Sequence, residues 1–379
     1  MNSSGLYPSR ALISKSAFLH NLELLDSATK AGIIAIVKAN GYGHGRDIVT
    51  DWLLDAGVRW LGVAQIAEAQ TLADRLAREG RLDEANILCW IYAPGSPFDQ
   101  AIKSGIHISL GAPWAINEVA AAARATGITA KVHVKVDTAM ARGGFSMNQL
   151  ADAVDQIAAL QAEGVFEVVG LWSHLARADE PDCPLTAQQV QLFEEARRIA
   201  APLHPQLLHL AASAGMLWHE NTHYDLVRPG ISLYGVSPNQ EYRTALQMGL
   251  RAVMQLEADL IVVRDVPAGT GISYGHTYVT ERPEHLAVVP VGYADGVLRS
   301  GSNRVKVWIN GQLCPSRGRI CMDQFVVEAP GAKEGDLAVL FGDEADGYLT
   351  ANDWGAASGT IGYEVFTALG PRVHRIAVP

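Results

Sequence analysis

Lys38 ends an apolar run, Ile33 to Val37, and is followed at once by Ala-Asn-Gly-Tyr-Gly-His-Gly. A lysine delivered by a strand into a glycine-rich segment keeps its amine near an apolar floor, which lowers its pKa and frees it to form a Schiff base with a carbonyl. A lone lysine is usually solvated. The three glycines shift that balance, because they let backbone approach a ligand while Tyr42 and His44 offer polar tips. Further reactive side chains follow along the chain: Arg142, His174, Ser213, Arg228 and Tyr363. Ser213, the amides of Gly230 and Ile231 and the hydroxyl of Tyr363 are uncharged donors of the kind that hold a phosphate. A Schiff-base lysine beside such donors points to a phosphorylated cofactor, with pyridoxal 5′-phosphate as the leading candidate.

These residues need a scaffold that brings them together. Up to about residue 235, short β-rich runs alternate with Ala-, Leu- and Glu-rich stretches of helical character. The runs are Ile33 to Val37, Leu61 to Ala64, Asn86 to Tyr92, Ile106 to Leu110, Lys131 to Asp137, Val165 to Trp172, Leu207 to Ala211 and Leu226 to Val227. Asp152 to Ala162 and Gln188 to Ala200 carry apolar residues at helical spacing. Alternation of this kind predicts an α/β fold, a (β/α)8 TIM-type barrel whose catalytic face is the carboxyl end of its strands. Lys38, Arg142, His174, Ser213 and Arg228 all fall at that end. An open doubly wound sheet competes, but Arg46 stands where a dinucleotide fingerprint needs its third glycine.

Beyond about Leu246 the pattern becomes period-two alternation, in Glu257 to Val263, Ala287 to Val291, Arg304 to Ile309 and Asp336 to Phe341. Asn310-Gly311 is a hairpin signal. The expected organisation is a barrel over residues 1–240 and a mostly β C-terminal domain over 241–379, with the first residues joining the β domain as an alternative.

Composition excludes several function classes. A net charge of −10 over 379 residues, with no clustered basic stripe, argues against nucleic acid. No apolar run is long enough for a membrane span, and residues 1–21 lack the apolar segment of a secretory signal, so a cytoplasmic protein is expected. No metal is expected either. His219-Glu220-Asn221-Thr222-His223 has zinc-motif spacing, yet Asn221 and Thr222 are poor helix formers and a strand and turn follow. The four cysteines are scattered, none in a Cys-x-x-Cys pair.

Several ordered segments carry a resemblance over nearly the whole length: Val37 to Gly45, Lys135-Val136-Asp137-Thr138 with Met140 and Arg142, Ser173 to Ala176 and Val227 to Gly235. They continue with Ser273-Tyr274-Gly275, Val291 to Gly296, Gly318 to Gln324 and Gly362-Tyr363-Glu364. In these the chain resembles the alanine racemases, pyridoxal-phosphate enzymes of fold-type III. The resemblance implies an isomerase interconverting L- and D-alanine with two bases, since inversion needs a proton acceptor on each face of the reacting centre. Lys38 would be one base and Tyr274, from the partner subunit, the other, with His174 and Arg228 assisting the tyrosine. It further implies that Tyr42, Ser213, Gly230, Ile231 and Tyr363 help to hold the cofactor. Arg228 would face the pyridine nitrogen, and Arg142 the phenolic oxygen and the substrate carboxylate, which Met322 meets with its amide. Lys135 matches a position that is carbamylated in some relatives, and Tyr293, Arg299, Arg319 and Ile361 match an entry corridor. The implied assembly is a head-to-tail homodimer acting on a small amino acid; a serine or broad-specificity racemase is the alternative. The chain departs from the family pattern at Ala139, where glycine is usual, and at Gly143, Ala212 and His374.

Overall fold

The computed structural model describes residues 8–379; the first seven residues, part of the segment read for a secretory signal, lie outside the described residues. The chain divides into two compact units. One comprises Glu23–Ala39 and Val49–Leu233; the other takes the described residues through Leu22, then Asn40–Ile48 and Tyr234–Pro379. The first strand, β1 (Ser9–Ser14), belongs to the second of these.

The first unit is built on β2 (Gly32–Ile36), β3 (Trp60–Gln65), β4 (Asn86–Ile91), β5 (His107–Leu110), β6 (Ala130–Lys135), β7 (Phe166–Trp172), β8 (Leu207–His209) and β9 (Leu226–Val227). They form one parallel sheet in the order β8-β7-β6-β5-β4-β3-β2-β9. Its two ends approach through the bridge Ala212 to Arg228, where the Arg228 amide donates to the Ala211 carbonyl at 2.9 Å. The expected barrel is therefore the fold. Its strands were readable because a parallel strand is covered on both faces and shows as a continuous apolar run.

Helix starts were less readable. The helix Met147–Ala162 begins a turn and more before the predicted Asp152, at a capping box in which Ser146 and Gln149 satisfy each other's backbone. Likewise Pro184–Ile199 opens on a proline, whose fixed φ suits a first helical position. The zinc-like segment folds as a single 3-10 turn, Glu220–Thr222, and its imidazoles diverge. His219 meets the Ala178 carbonyl at 3.1 Å, while His223 bonds Thr29 and the Met216 carbonyl, each at 2.8 Å.

The second unit is mostly β. Its nine-stranded sheet runs Val262–Val266, Glu284–Val289, Phe325–Glu328, Gln312–Arg317, Lys306–Ile309, Leu337–Phe341, Met254–Asp259, β1 and His374–Val378. The predicted run Glu257 to Val263 is two strands rather than one. Met254–Asp259 pairs with β1, whereas Val262–Val266 pairs with Glu284–Val289 at the far edge. The crossing is made at Leu260 and Ile261, whose amides donate to the carbonyl of Asp336, just before the strand Leu337–Phe341, and to that of Val288 on Glu284–Val289. Asn310 and Gly311 form the expected tight hairpin, with φ of 49° and 82° and Ile309 opposite Gln312. Among the described residues no helix is long and apolar enough to cross a membrane.

Candidate active site

The carboxyl ends of the barrel strands collect cations over an aromatic floor. Lys38 follows β2 with its Nζ 5.9 Å from the Trp90 ring centre. Lys135 Nζ and the Arg228 guanidinium lie 4.7 Å and 4.9 Å from the ring centre of Trp172. Trp90 and Trp172 meet edge to face at 6.0 Å, and Trp172 is pinned by its Nε1–H donating to Ser109 Oγ at 2.9 Å. Aromatic faces attract cations electrostatically and exclude water from them at the same time. The apolar floor expected beneath Lys38 is thus indole. Trp90 and Trp172 escaped the sequence reading; the available signal was their shared place on alternate, inward-facing positions of their strands.

Charge crowding tunes each amine. Burial, then the charge of Arg142, lowers Lys38 against an opposing pull from Glu68. Burial together with Arg142 and Arg228 brings Lys135 down to about 8. His174 is driven well below the usual imidazole range by burial, then by Arg228, Arg142, Lys135 and Lys38, so its ring is neutral. Arg228 is only 4% exposed, and burial lowers it as well. Its guanidinium donates to the carbonyls of Ser173 (2.7 Å) and Leu210 (2.9 Å) and to Nδ1 of His209 (3.1 Å) and His174 (3.3 Å), with no carboxylate partner among the described residues.

The acids that bear on these groups are committed to backbone. Glu68 accepts the amides of Ala39, Ala64 and Gln65 at 2.6, 3.0 and 3.0 Å. Asp137 accepts those of Met140 and Ala141 at 2.8 and 3.1 Å. Arg228 is left with no carboxylate partner among the described residues, and the crowded cations fit a ligand that brings its own anions, such as phosphate, phenolate and carboxylate. Ser213 and Gly230 meet directly: Ser213 Oγ accepts the Gly230 amide at 2.9 Å and that of Ser232 at 3.4 Å, and Ile231 opens the adjoining turn Ile231–Tyr234. The Gly230 amide, expected to face a phosphate, points here to the serine hydroxyl, so the three residues share one small polar cup. Gln189 also escaped notice. It donates to the Thr138 carbonyl (2.8 Å) and the His174 carbonyl (3.2 Å) and accepts the Ala176 amide (2.8 Å), tying down the loop that bears His174.

Two stretches of backbone are strained. Ala39, Asn40, Gly41 and Tyr42 take φ of 52°, 56°, 61° and 51°, a left-handed turn immediately after Lys38 where an open loop was expected. Ala139 and Ala141 take φ of 76° and 54° on the segment leading to the exposed Arg142. The alanine that departs from the usual glycine therefore occupies a position suited to glycine. At Gly143 an added β-carbon would lie 3.7 Å from Lys135 Nζ, so that departure leaves the amine room.

In the second unit, Tyr42 and Tyr363 stand with ring centres 6.2 Å apart. Burial, then Tyr363, raises the Tyr42 hydroxyl, which is a neutral donor. His44 is no polar tip: it is fully buried between Tyr234 (4.6 Å) and Phe366 (4.7 Å), its Nδ1 2.9 Å from the Tyr42 carbonyl, and burial brings it down to about 3. Tyr274 and Met322 are 72% and 52% exposed. Their loops are tied together, since Ser273 Oγ donates to the Arg319 carbonyl at 2.7 Å and the Ala294 amide to the Met322 carbonyl at 2.9 Å. The Arg319 guanidinium packs on the turn of Tyr274, where a β-carbon at Gly275 would lie 3.1 Å from it.

A parallel barrel with a lysine, an arginine and a serine on its catalytic face, in one chain with a mostly β unit, defines a two-unit barrel enzyme. Comparison with known proteins narrows the class. The profile of the alanine racemase N-terminal domain matches residues 13–238, and that of the C-terminal domain matches 253–377. The alanine racemase of Beutenbergia cavernae is 47% identical, with 98% of each chain covered. Among solved structures, alanine racemase from Streptomyces coelicolor A3(2) superposes with a TM-score of 0.96 at 42% identity, covering 100% of both chains. That from Bartonella henselae, solved with covalently bound pyridoxal phosphate, gives 0.86 at 29% identity over 98% of this chain and 99% of that one. The chain belongs to the alanine racemase family and is an isomerase.

Proposed function

We propose that this protein interconverts L- and D-alanine with pyridoxal 5′-phosphate in the cytoplasm, as a head-to-tail homodimer whose barrel domain ends near residue 240. The observation that carries this reading is the barrel mouth, where Lys38, Lys135 and Arg228 crowd an aromatic floor with no carboxylate on Arg228. When bound, the cofactor supplies a conjugated electron sink that acidifies the α-proton of an attached amino acid. Lys38 would hold it covalently, and Ser213, Gly230 and Ile231 would hold its phosphate. Arg142 orients the substrate carboxylate together with the amide of Met322 of the partner subunit. Lys38 Nζ, with its lowered pKa, takes or returns the α-proton on one face. Oη of the partner subunit's Tyr274 does so on the other. Arg228 has donors only, so facing the ring nitrogen it would offer a hydrogen bond and no proton, which would restrain the sink and disfavour side reactions.

Support for the dimer lies in the second unit, where the large side chains of Tyr274, Met322 and Ile361, the last 59% exposed, are each left open. A pocket narrowed by tyrosines favours a methyl side chain. Rejection of an added hydroxyl is commonly only ~100-fold, so serine is the expected secondary substrate. The test is conversion of L-alanine to D-alanine by the purified protein with pyridoxal phosphate, beside L-serine and a Lys38→Ala control. Lysine-dependent conversion of alanine is expected. Equal rates with Lys38→Ala would refute the reading, and faster turnover of serine would move the substrate assignment.

A further inference from the structure

Arg228 is a buried cation with no carboxylate partner among the described residues, and the groups behind it form a line. His209 Nδ1 lies 3.1 Å from the guanidinium, His209 Nε2 lies 2.9 Å from His133 Nδ1, and His133 Nε2 lies 3.3 Å from His107 Nδ1. The three imidazoles come from β8, β6 and β5. The intervening strand β7 contributes Gly170, and an added β-carbon there would stand against the His133 ring, 2.9 Å from Cε1. Only a glycine on β7 lets His133 reach across it to β8, and the strand pair is bulged at Val132 and His133, opposite that glycine.

One chemical fact orders the whole line. A guanidinium has donors and no acceptor, so His209 Nδ1 must offer its lone pair. The His209 proton is then on Nε2 and is donated to His133 Nδ1. By the same step His133 carries its proton on Nε2 and gives it to His107 Nδ1. His107 is left with Nε2–H, an atom that has no hydrogen-bond partner among the described residues and belongs to a ring set edge-on to Trp60 at 4.8 Å. All three rings are buried, and burial keeps each of them neutral. Three neutral rings therefore point their lone pairs the same way, toward Arg228, and aligned hydrogen bonds in a dry interior polarise one another.

We infer that His107, His133 and His209 form a directional chain of dipoles that stands in for a counterion to Arg228, and that His133 and His107 are positioning residues acting through it. The chain fixes the guanidinium where a carboxylate would fix it, but leaves its full charge for the ligand it faces. Assigning that ligand as the cofactor rests on the proposed function; the order of the protons does not.

The test is nitrogen NMR of the full chain labelled with 15N-histidine and saturated with pyridoxal phosphate, on the parent protein, His133→Phe and His133→Gln. At pH 7 the parent shows all three imidazoles as neutral Nε2–H tautomers. In His133→Phe the fixed tautomer of His209 is lost and kcat for racemisation falls by up to ~100-fold with little change in KM, as expected when a group bearing on the cofactor shifts. In His133→Gln, whose amide accepts from one side and donates to the other, the His209 tautomer returns. An Nδ1–H tautomer at any of the three positions in the parent overturns the inference, as does a His133→Phe protein with His209 and kcat unchanged. Ordered tautomers in a protein that racemises nothing would sink the functional reading alone.

Discussion

Gly170→Ala adds one methyl group to a barrel strand, and the effect expected from it is large. The added carbon would stand 2.9 Å from Cε1 of His133 and against Nδ1 of the same ring, whereas carbon atoms settle at about 3.5 to 4.0 Å. The ring must withdraw by at least about 0.6 Å, which stretches the His133 to His209 hydrogen bond from its 2.9 Å to the limit at which such a bond ceases to exist. The change combines overpacking in a filled interior, about 1 to 3 kcal/mol, with a lost buried hydrogen bond of about 1 kcal/mol. Urea unfolding of the parent and variant, read at equal slope, should therefore show a loss of about 2 to 4 kcal/mol. Gly170→Ala combined with His133→Ala should recover part of it, because the methyl then enters the space the ring has left. An unchanged midpoint in Gly170→Ala, or a double variant no better than either single one, would show that the glycine does not make room for the histidine.

Acid should destabilise the protein steeply. Burial holds His44 and His107 at about 3, far below the ordinary imidazole value of 6.5, so the native state binds fewer protons than the unfolded chain between those limits. The stabilisation is complete above pH 6.5 and is lost as pH falls, at up to about 1.4 kcal/mol per unit for each ring, and urea midpoints at pH 7 and pH 5 would reveal it. Tyr274→Phe should lower kcat by roughly 100- to 10,000-fold while leaving the melting temperature in place, since the side chain is 72% exposed; a melting shift that tracked the activity loss would make its role structural. Ala139→Gly removes a β-carbon from a residue at φ 76°. Relief of about 1 to 2 kcal/mol should outweigh the added freedom of the unfolded chain, so the midpoint should rise slightly with activity kept.

What the sequence disclosed follows from how it is written. Buried parallel strands such as β2, and β4 after its first residue Asn86, are continuous apolar runs and stand out, and Asn310-Gly311 announced its hairpin by residue type alone. The division of Glu257 to Val263 between two strands did not show, because the apolar run Leu260 to Val263 carries β-type residues straight across the crossing while the partners change. The left-handed turn after Lys38 was only partly legible: Asn40-Gly41 favours positive φ, but nothing about Ala39 or Tyr42 marks that the reversal of hand extends over them. At the site, Lys38, Ser213, Gly230 and Arg228 were found by type and position. His107, His133 and His209 each look like a lone histidine in an apolar strand, and only the barrel's closure brings them into line. Trp90 and Trp172 were passed over for the same reason: a tryptophan in a core strand reads as filler until the lysines above it are seen.

That pair of indoles has an optical consequence. Trp90 lies 5.9 Å from Lys38 Nζ, and Trp172 carries Lys135 and Arg228 on its face. Any chromophore joined to Lys38 that absorbs in the near ultraviolet would drain their emission at such short range. The intrinsic fluorescence of the protein would then follow occupancy of the lysine in real time, without a dye or a coupled enzyme. Replacing Trp90 with phenylalanine would show how much of the signal originates beside the amine.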